Sequence, residues 1–204
     1  MIQFRLLGPL EVLRDGGVLN VAAPRQRSLL AILLAHANEL VPADRLADQL
    51  WEGHPPPTAA TALQVHVSRL RKILETGPGE PRVVVTRDPG YLVRATADQL
   101  DTLRFEQLLA KGRRLLAEGE ASQAADVLDE SLGLWRGPAL GELAGLPFAS
   151  GWAARLEQLR LAAVEERFEA YLACGRHAGM VDELEQLISA EPLRERLWAQ
   201  LMVA

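Results

Sequence analysis

The chain has 204 residues, 49% hydrophobic and 24% charged, with a net charge of −5, an ordinary make-up for a water-soluble globular protein with one large core or two small ones. No apolar run is long enough to cross a bilayer, and the opening MIQFRLLGPLEV lacks the charged and apolar regions of a secretory signal, so a cytoplasmic protein with no membrane partner is expected. The acidic total argues against indiscriminate polyanion binding, but charge is unevenly spread: residues 1–95 hold eleven Lys and Arg against nine Asp and Glu, and residues 96–204 hold eleven against eighteen.

Three short strands are expected first, over 2–7, 10–14 and 18–21, with Gly8-Pro9 and Asp15-Gly16-Gly17 as turns. They make a small antiparallel sheet. A helix follows over 24–37, with Pro24 in its first turn and Leu29, Leu30, Leu33 and Leu34 as its apolar stripe. A second helix runs over 42–51 with Leu46 and Leu50 inward, until GHPPP stops it. Thr58 is placed to cap a third.

That third helix, TALQVHVSRLRKIL, concentrates positive charge. At 100° per residue, Leu63, Val67, Leu70 and Leu74 share one face, and Thr61, Gln64, Val65, Ser68, Arg69, Arg71 and Lys72 spread over the other. VVVTRDPGYLV then reads as two strands joined by the tight turn Asp88-Pro89-Gly90, a hairpin bearing Arg82 and Arg87 near its tip. Sheet, three helices and hairpin, in that order, make a winged helix-turn-helix. The connector RATADQ separates it from an all-helical part, with segments near 101–118, 121–135, 148–174, 178–190 and 193–204. The expected domains are therefore 1–95 and 96–204, mainly α with a small β-sheet and a wing hairpin.

The helical part carries a weak internal repeat. Residues 115–132 resemble 171–188, with Leu116, Ala117, Gly119 and Leu128 matching Leu172, Ala173, Gly175 and Leu184. Helix, small-residue turn, helix is the shape of a tetratricopeptide unit, and WRGPALGELAGLPFASGW reads as an insertion between the two copies. The pattern stops at LWAQLMVA without a polar capping helix, so a continuation past residue 204 is expected.

Chemistry-bearing residues point to binding rather than catalysis. The third helix follows another after a short turn, as a recognition helix does. Gln64 suits an adenine edge and Val65 a thymine methyl. An arginine fork matches guanine or phosphate with two hydrogen bonds, so Arg69, Arg71 and Lys72 suit a groove and its backbone, and Arg82 and Arg87 a phosphate or a minor groove. His36, His54, His66 and His177 have no metal-ligand spacing, and no phosphate-binding loop or nucleophile elbow is present. No cofactor or metal is expected. The glycine-rich stretch at 77–81 reads as a turn. Cys174 stands alone and fits a reducing compartment. Trp51, Trp135, Trp152 and Trp198 read as core anchors, Trp51 also lying where its indole N–H can reach a phosphate. Lysine occurs only at 72 and 111, a bias toward arginine that fits a GC-rich bacterial genome.

QVHVSRLRKIL followed by VVVTRDPGYLV resembles the OmpR/PhoB-type winged helix. With LLGPLEV, PRQRSLLAILL, LADQLW and the helical part behind it, the whole chain resembles the Streptomyces antibiotic regulatory proteins (SARPs), actinobacterial transcription activators with a tetratricopeptide-like bacterial transcriptional activator domain. The resemblance implies binding to direct repeats upstream of promoters as side-by-side homodimers, contact with RNA polymerase holoenzyme including its sigma factor, and control of antibiotic biosynthesis genes. It implies Arg69 as the main base reader beside Gln64 and Val65. Thr61, His66, Arg71 and Trp51 would hold phosphates, and Arg87 would enter the minor groove. Ser68 departs from the basic residue that related regulators carry there. A helical-repeat scaffold using the winged helix for docking is the alternative; it predicts that Arg69→Ala changes nothing.

Overall fold

The computed structural model describes residues 1–75, 82–177 and 179–204; the turn expected over 77–81 lies outside them. The chain packs as two compact units, one of Met1–Leu103 with Arg136–Leu156, the other of Arg104–Trp135 with Glu157–Ala204.

The first unit opens with β1 (Ile2–Arg5), β2 (Glu11–Arg14) and β3 (Gly17–Val18), an antiparallel sheet in that order. Phe4 faces Val12 across β1 and β2, and both are buried; along β1, Ile2 and Phe4 are buried and Gln3 between them is exposed, the period-two alternation of a strand covered on one face. Helix α1 (Pro24–Ala35) has Pro24 at its start, as expected. It buries Gln26 and all of Leu29 to Leu34, including Ala31 and Ile32 outside the expected stripe. A helix apolar all round belongs inside, and α1 is the centre of this unit.

The turn after α1 is pinned by Asn38. Its backbone N–H donates to Val93, and its side-chain amide donates to the Ala95 carbonyl and accepts from the Ala95 N–H. A two-residue strand, β4 (Val41–Pro42), then pairs with the later hairpin. Pro42 was expected to begin the second helix; it ends this edge strand, where a missing N–H costs nothing. Helix α2 (Ala43–Leu50) is consequently shorter than expected, and still buries Leu46 and Leu50.

Helix α3 (Ala59–Leu74) leads to β5 (Val84–Arg87) and β6 (Gly90–Val93), which with β4 form a sheet of order β4-β6-β5. Thr58 holds the cap position of α3 without a side-chain cap bond; the Ala59 and Ala62 N–H groups donate to the carbonyls of Pro56 and Thr58. Gly90 is where β6 crosses β4. A Cβ there would stand 1.9 Å from the Val41 carbonyl oxygen, so only glycine fits.

The segment read as an insertion, 135–152, packs in this unit from Arg136 onward, as part of Arg136–Leu156. The N–H groups of Arg136 and Leu140 donate to the carbonyls of Leu7 and Leu6. Arg136 also pairs with Glu11 at 2.9 Å. Asp101 accepts from the N–H groups of Leu6 and Leu7 at 2.8 and 2.9 Å. These bonds gather the β1–β2 connection, residue 101 and residues 136–140 into one structure.

The second unit is helical, built from the greater parts of α4 (Asp101–Ala117) and α6 (Pro147–Cys174) with α5 (Ala121–Leu132), α7 (Met180–Ala190) and α8 (Glu195–Val203). The repeat is structural. Gly119 and Gly175 are both left-handed, at φ 80° and 76°. Each ends a helix with the same bond one residue on: Glu120 N–H to the Leu115 carbonyl at 2.9 Å, and Arg176 N–H to the Tyr171 carbonyl at 2.9 Å. This is the six-to-one bond of a glycine helix stop. Leu128 and Leu184 are both fully buried. Val164, Phe168, Met180, Leu184, Ile188 and Leu197 form a core cluster. Trp198 departs from its expected role: it is 46% exposed, its indole N–H given to the Pro192 carbonyl. Among the described residues no helix is long and apolar enough to cross a membrane.

Candidate nucleic-acid interface

Helix α3 runs sixteen residues without glycine or proline. Leu63, Val67, Leu70 and Leu74, at spacings of four, three and four, are each 1% exposed or less. Thr61, Gln64, Val65, Ser68, Arg69 and Lys72 are exposed. Val65 is 43% exposed, a branched apolar side chain presented outward between polar neighbours. Arg71 and Lys72 lie in the last turn, where cations also suit the helix dipole.

Arg71 is only half-exposed and is committed inward. Its Nε donates to the Val84 carbonyl at 2.9 Å and its terminal nitrogen to Thr86 Oγ1 at 2.7 Å. Val84 N–H in turn donates to the Glu75 carboxylate at 3.3 Å. The end of α3 is thereby stapled to β5, which fixes the wing's angle to the helix. The two wing arginines part company. Arg87 pairs with Gly90 beside the turn. Arg82 precedes β5, at the foot of the hairpin where Arg94 N–H meets the Val83 carbonyl, and not near the tip. The paired strands span 84–87 and 90–93, which leaves residue 82 at the far end from the turn. Both arginines are exposed.

Trp51 ends α2, its N–H bonded to the Ala47 carbonyl. The half-buried indole lies 6.3 Å from the His66 ring, centroid to centroid, at 56°. His66 Nδ1 is buried without a hydrogen-bond partner among the described residues. Burial, with Arg25 and Arg69 adding positive charge, holds the His66 pKa below the usual imidazole range. Arg25 is the residue that sequence reasoning missed. Its guanidinium lies 5.3 Å from the Trp51 centroid, and Nη1 donates to the Leu50 carbonyl at 3.1 Å. One signal was available: Arg25 sits in the first turn of α1, where a cation opposes the helix dipole.

The arrangement joins an exposed polar face on α3, cations at its end and on the wing, and an aromatic and imidazole cluster at its flank. It holds hydrogen-bond donors for an anionic backbone and mixed groups for base edges.

Residues 21–93 match the family described as transcriptional regulatory protein, C terminal, and residues 100–204 match the bacterial transcriptional activator domain. The transcriptional regulatory protein MoaR1 of Mycobacterium tuberculosis is 37% identical over 204 residues, covering 99% of this chain and 66% of MoaR1. Regulatory protein DnrI of Streptomyces peucetius is 35% identical over 211 residues, covering 100% of this chain and 77% of DnrI. The solved structure of Mycobacterium tuberculosis EmbR in complex with a low affinity phosphopeptide matches with a TM-score of 0.93 at 36% identity, over 98% of this chain and 53% of that one. The chain thus spans less than two thirds of MoaR1 and about half of EmbR. With a winged helix of the OmpR/PhoB type followed by a bacterial transcriptional activator domain, the chain belongs to the SARP family, whose members are transcriptional regulators and not enzymes.

Proposed function

We propose that the protein is a sequence-specific DNA-binding transcription activator. The carrying observation is α3: Gln64, Val65 and Arg69 stand exposed on one side while the leucines opposite are dry. In this reading α3 lies in the major groove, Arg69 reads a guanine, and Gln64 and Val65 read adjacent base edges. Thr61, Trp51, His66 and Lys72 hold phosphates. Arg87 reaches the minor groove from the wing, with Arg82 a more distant backbone contact. Arg71 combines its strut role with any phosphate contact its remaining N–H groups make.

The wider reading follows the family. The protein binds direct repeats upstream of promoters as a homodimer assembled on DNA. It recruits RNA polymerase holoenzyme through its sigma factor, using the exposed 52–57 loop, at genes of antibiotic or other secondary-metabolite biosynthesis in the bacterial cytoplasm. Division into a DNA-binding part up to residue 95 and an activator part from 96 belongs to the same proposal.

Footprinting on fragments from the protein's own genomic neighbourhood, at two salt concentrations, is the test. The expected result is periodic protection, spaced by about one turn of the duplex, that Arg69→Ala abolishes while the circular dichroism spectrum is kept. Uniform weak shifts that vanish with salt, or full protection by Arg69→Ala, overturn it.

A further inference from the structure

We propose that Arg25 is a DNA-backbone ligand, forming with Trp51 and His66 a phosphate seat where α1, α2 and α3 meet. The inference rests on the DNA-binding reading and adds a cation outside both α3 and the wing.

Arg25 is exposed, in the first turn of α1, and no acidic residue shares that turn. A cation there weakens the helix, so its place is not explained by the stability of α1. Yet the side chain is held. One nitrogen is bonded to the Leu50 carbonyl, and the guanidinium rests over the Trp51 ring. A guanidinium has five N–H groups; no other hydrogen bond of this one is found among the described residues. The two contacts fix the fork before any ligand arrives, which lowers the entropy lost on binding.

His66 completes the seat as a neutral donor. Its Nδ1 is buried without a hydrogen-bond partner among the described residues, which leaves Nε2 as the ring nitrogen that can meet a ligand. A proton on Nε2 makes that nitrogen a donor to a phosphate oxygen. The cations facing the imidazole, Arg25 from α1 and Arg69 from α3, oppose a second proton. One fixed cation and two uncharged donors, the indole N–H and Nε2–H, match the single negative charge and several acceptor sites of a diester phosphate. Duplex DNA is favoured as the occupant over a free anion. His66 and Arg69 are three residues apart on α3 and so neighbours on its surface, which sets the seat at the flank of the base-reading face.

The experiment is a salt titration of binding by the whole 204-residue chain, on the footprinted fragment and on a duplex of random sequence. Arg25→Gln should weaken both by the same factor, about five- to tenfold, and make the slope of log K against log salt shallower by about 0.9. Arg25→Lys, which keeps the charge, should keep the slope. Trp51→Phe should lose affinity without a change of slope, because the indole N–H is uncharged. Thermal melts establish that each variant is folded at the assay temperature. Arg25→Gln with the wild-type slope, or with a loss confined to the specific fragment, overturns the seat alone. A wild type that binds neither duplex overturns the DNA reading itself.

Discussion

Gly90 shows how one residue can hold a wing. Its missing Cβ lets β6 pass β4 with the Val41 carbonyl inside the space a methyl would fill. Backbone cannot yield as a side-chain tip does, so Gly90→Ala should cost about 1–3 kcal/mol, read as a lower urea midpoint with an unchanged m-value. A wild-type midpoint would mean that the hairpin moves aside freely. Asp101 makes a different prediction. Its buried carboxyl accepts from Leu6 and Leu7, yet burial outweighs those bonds and pushes its pKa from 3.8 up to about 6. A folded-state pKa above the unfolded value means that the neutral form favours the fold. The contribution is full below pH 3.8 and is lost as pH rises through about 6. The penalty of Asp101→Asn should therefore shrink, by up to about 3 kcal/mol, between about pH 4 and pH 7.5 in denaturation curves. A penalty that grows with pH would contradict this. Neither role was legible in sequence. Gly90 reads as a turn residue and residue 101 only as the start of a helical segment; their real partners, Val41, Leu6 and Leu7, lie far along the chain.

Among the elements, α3 was the most legible, because a leucine period of four, three and four needs no partner to be recognised. The glycine stops were equally plain, since Gly119 and Gly175 recur at one offset beside matched small residues. Either glycine changed to Ala should cost about 1–2 kcal/mol, with Asn costing less, as thermal melts of the two series would show. Strand β4 was invisible: two residues, one of them proline, carry no period, and their pairing with β6 is long-range. The connection of α3 to the wing was hidden for a related reason. Arg71 looks on a helical wheel like any outward cation, and its curl onto Val84 and Thr86 depends on where the hairpin folds. Losing those two bonds through Arg71→Ala should cost about 1–2 kcal/mol and speed amide exchange in β5. Arg71→Lys, which lacks the fork, should fall between. Unchanged exchange in Arg71→Ala would return Arg71 to the role of a simple phosphate ligand.

At the scale of the molecule, the packing of 136–156 with the first residues was not legible in the sequence. That segment is held by Leu6, Leu7 and Glu11, more than a hundred residues away, and nothing local in it announces the destination. Charge behaves likewise. A total of −5 describes the chain, whereas a duplex on α3 meets a local surface, and at ordinary ionic strength charges beyond about 10 Å are screened from it. Arg25, Lys72 and Arg82 are the cations assigned to the duplex backbone, Arg69 to a base and Arg87 to the minor groove, while Arg71 is turned toward the wing. With Arg69 on a base and Arg87 in the minor groove, three phosphate contacts by cations remain, and the slope of log K against log salt should lie near about −3 per bound protomer. A slope near zero would leave the acidic total in command and remove the case for DNA. A slope near −6 would require cations beyond this set, and the first place to look for them is the wing foot, at Arg94, by charge-neutralising substitution in the same titration.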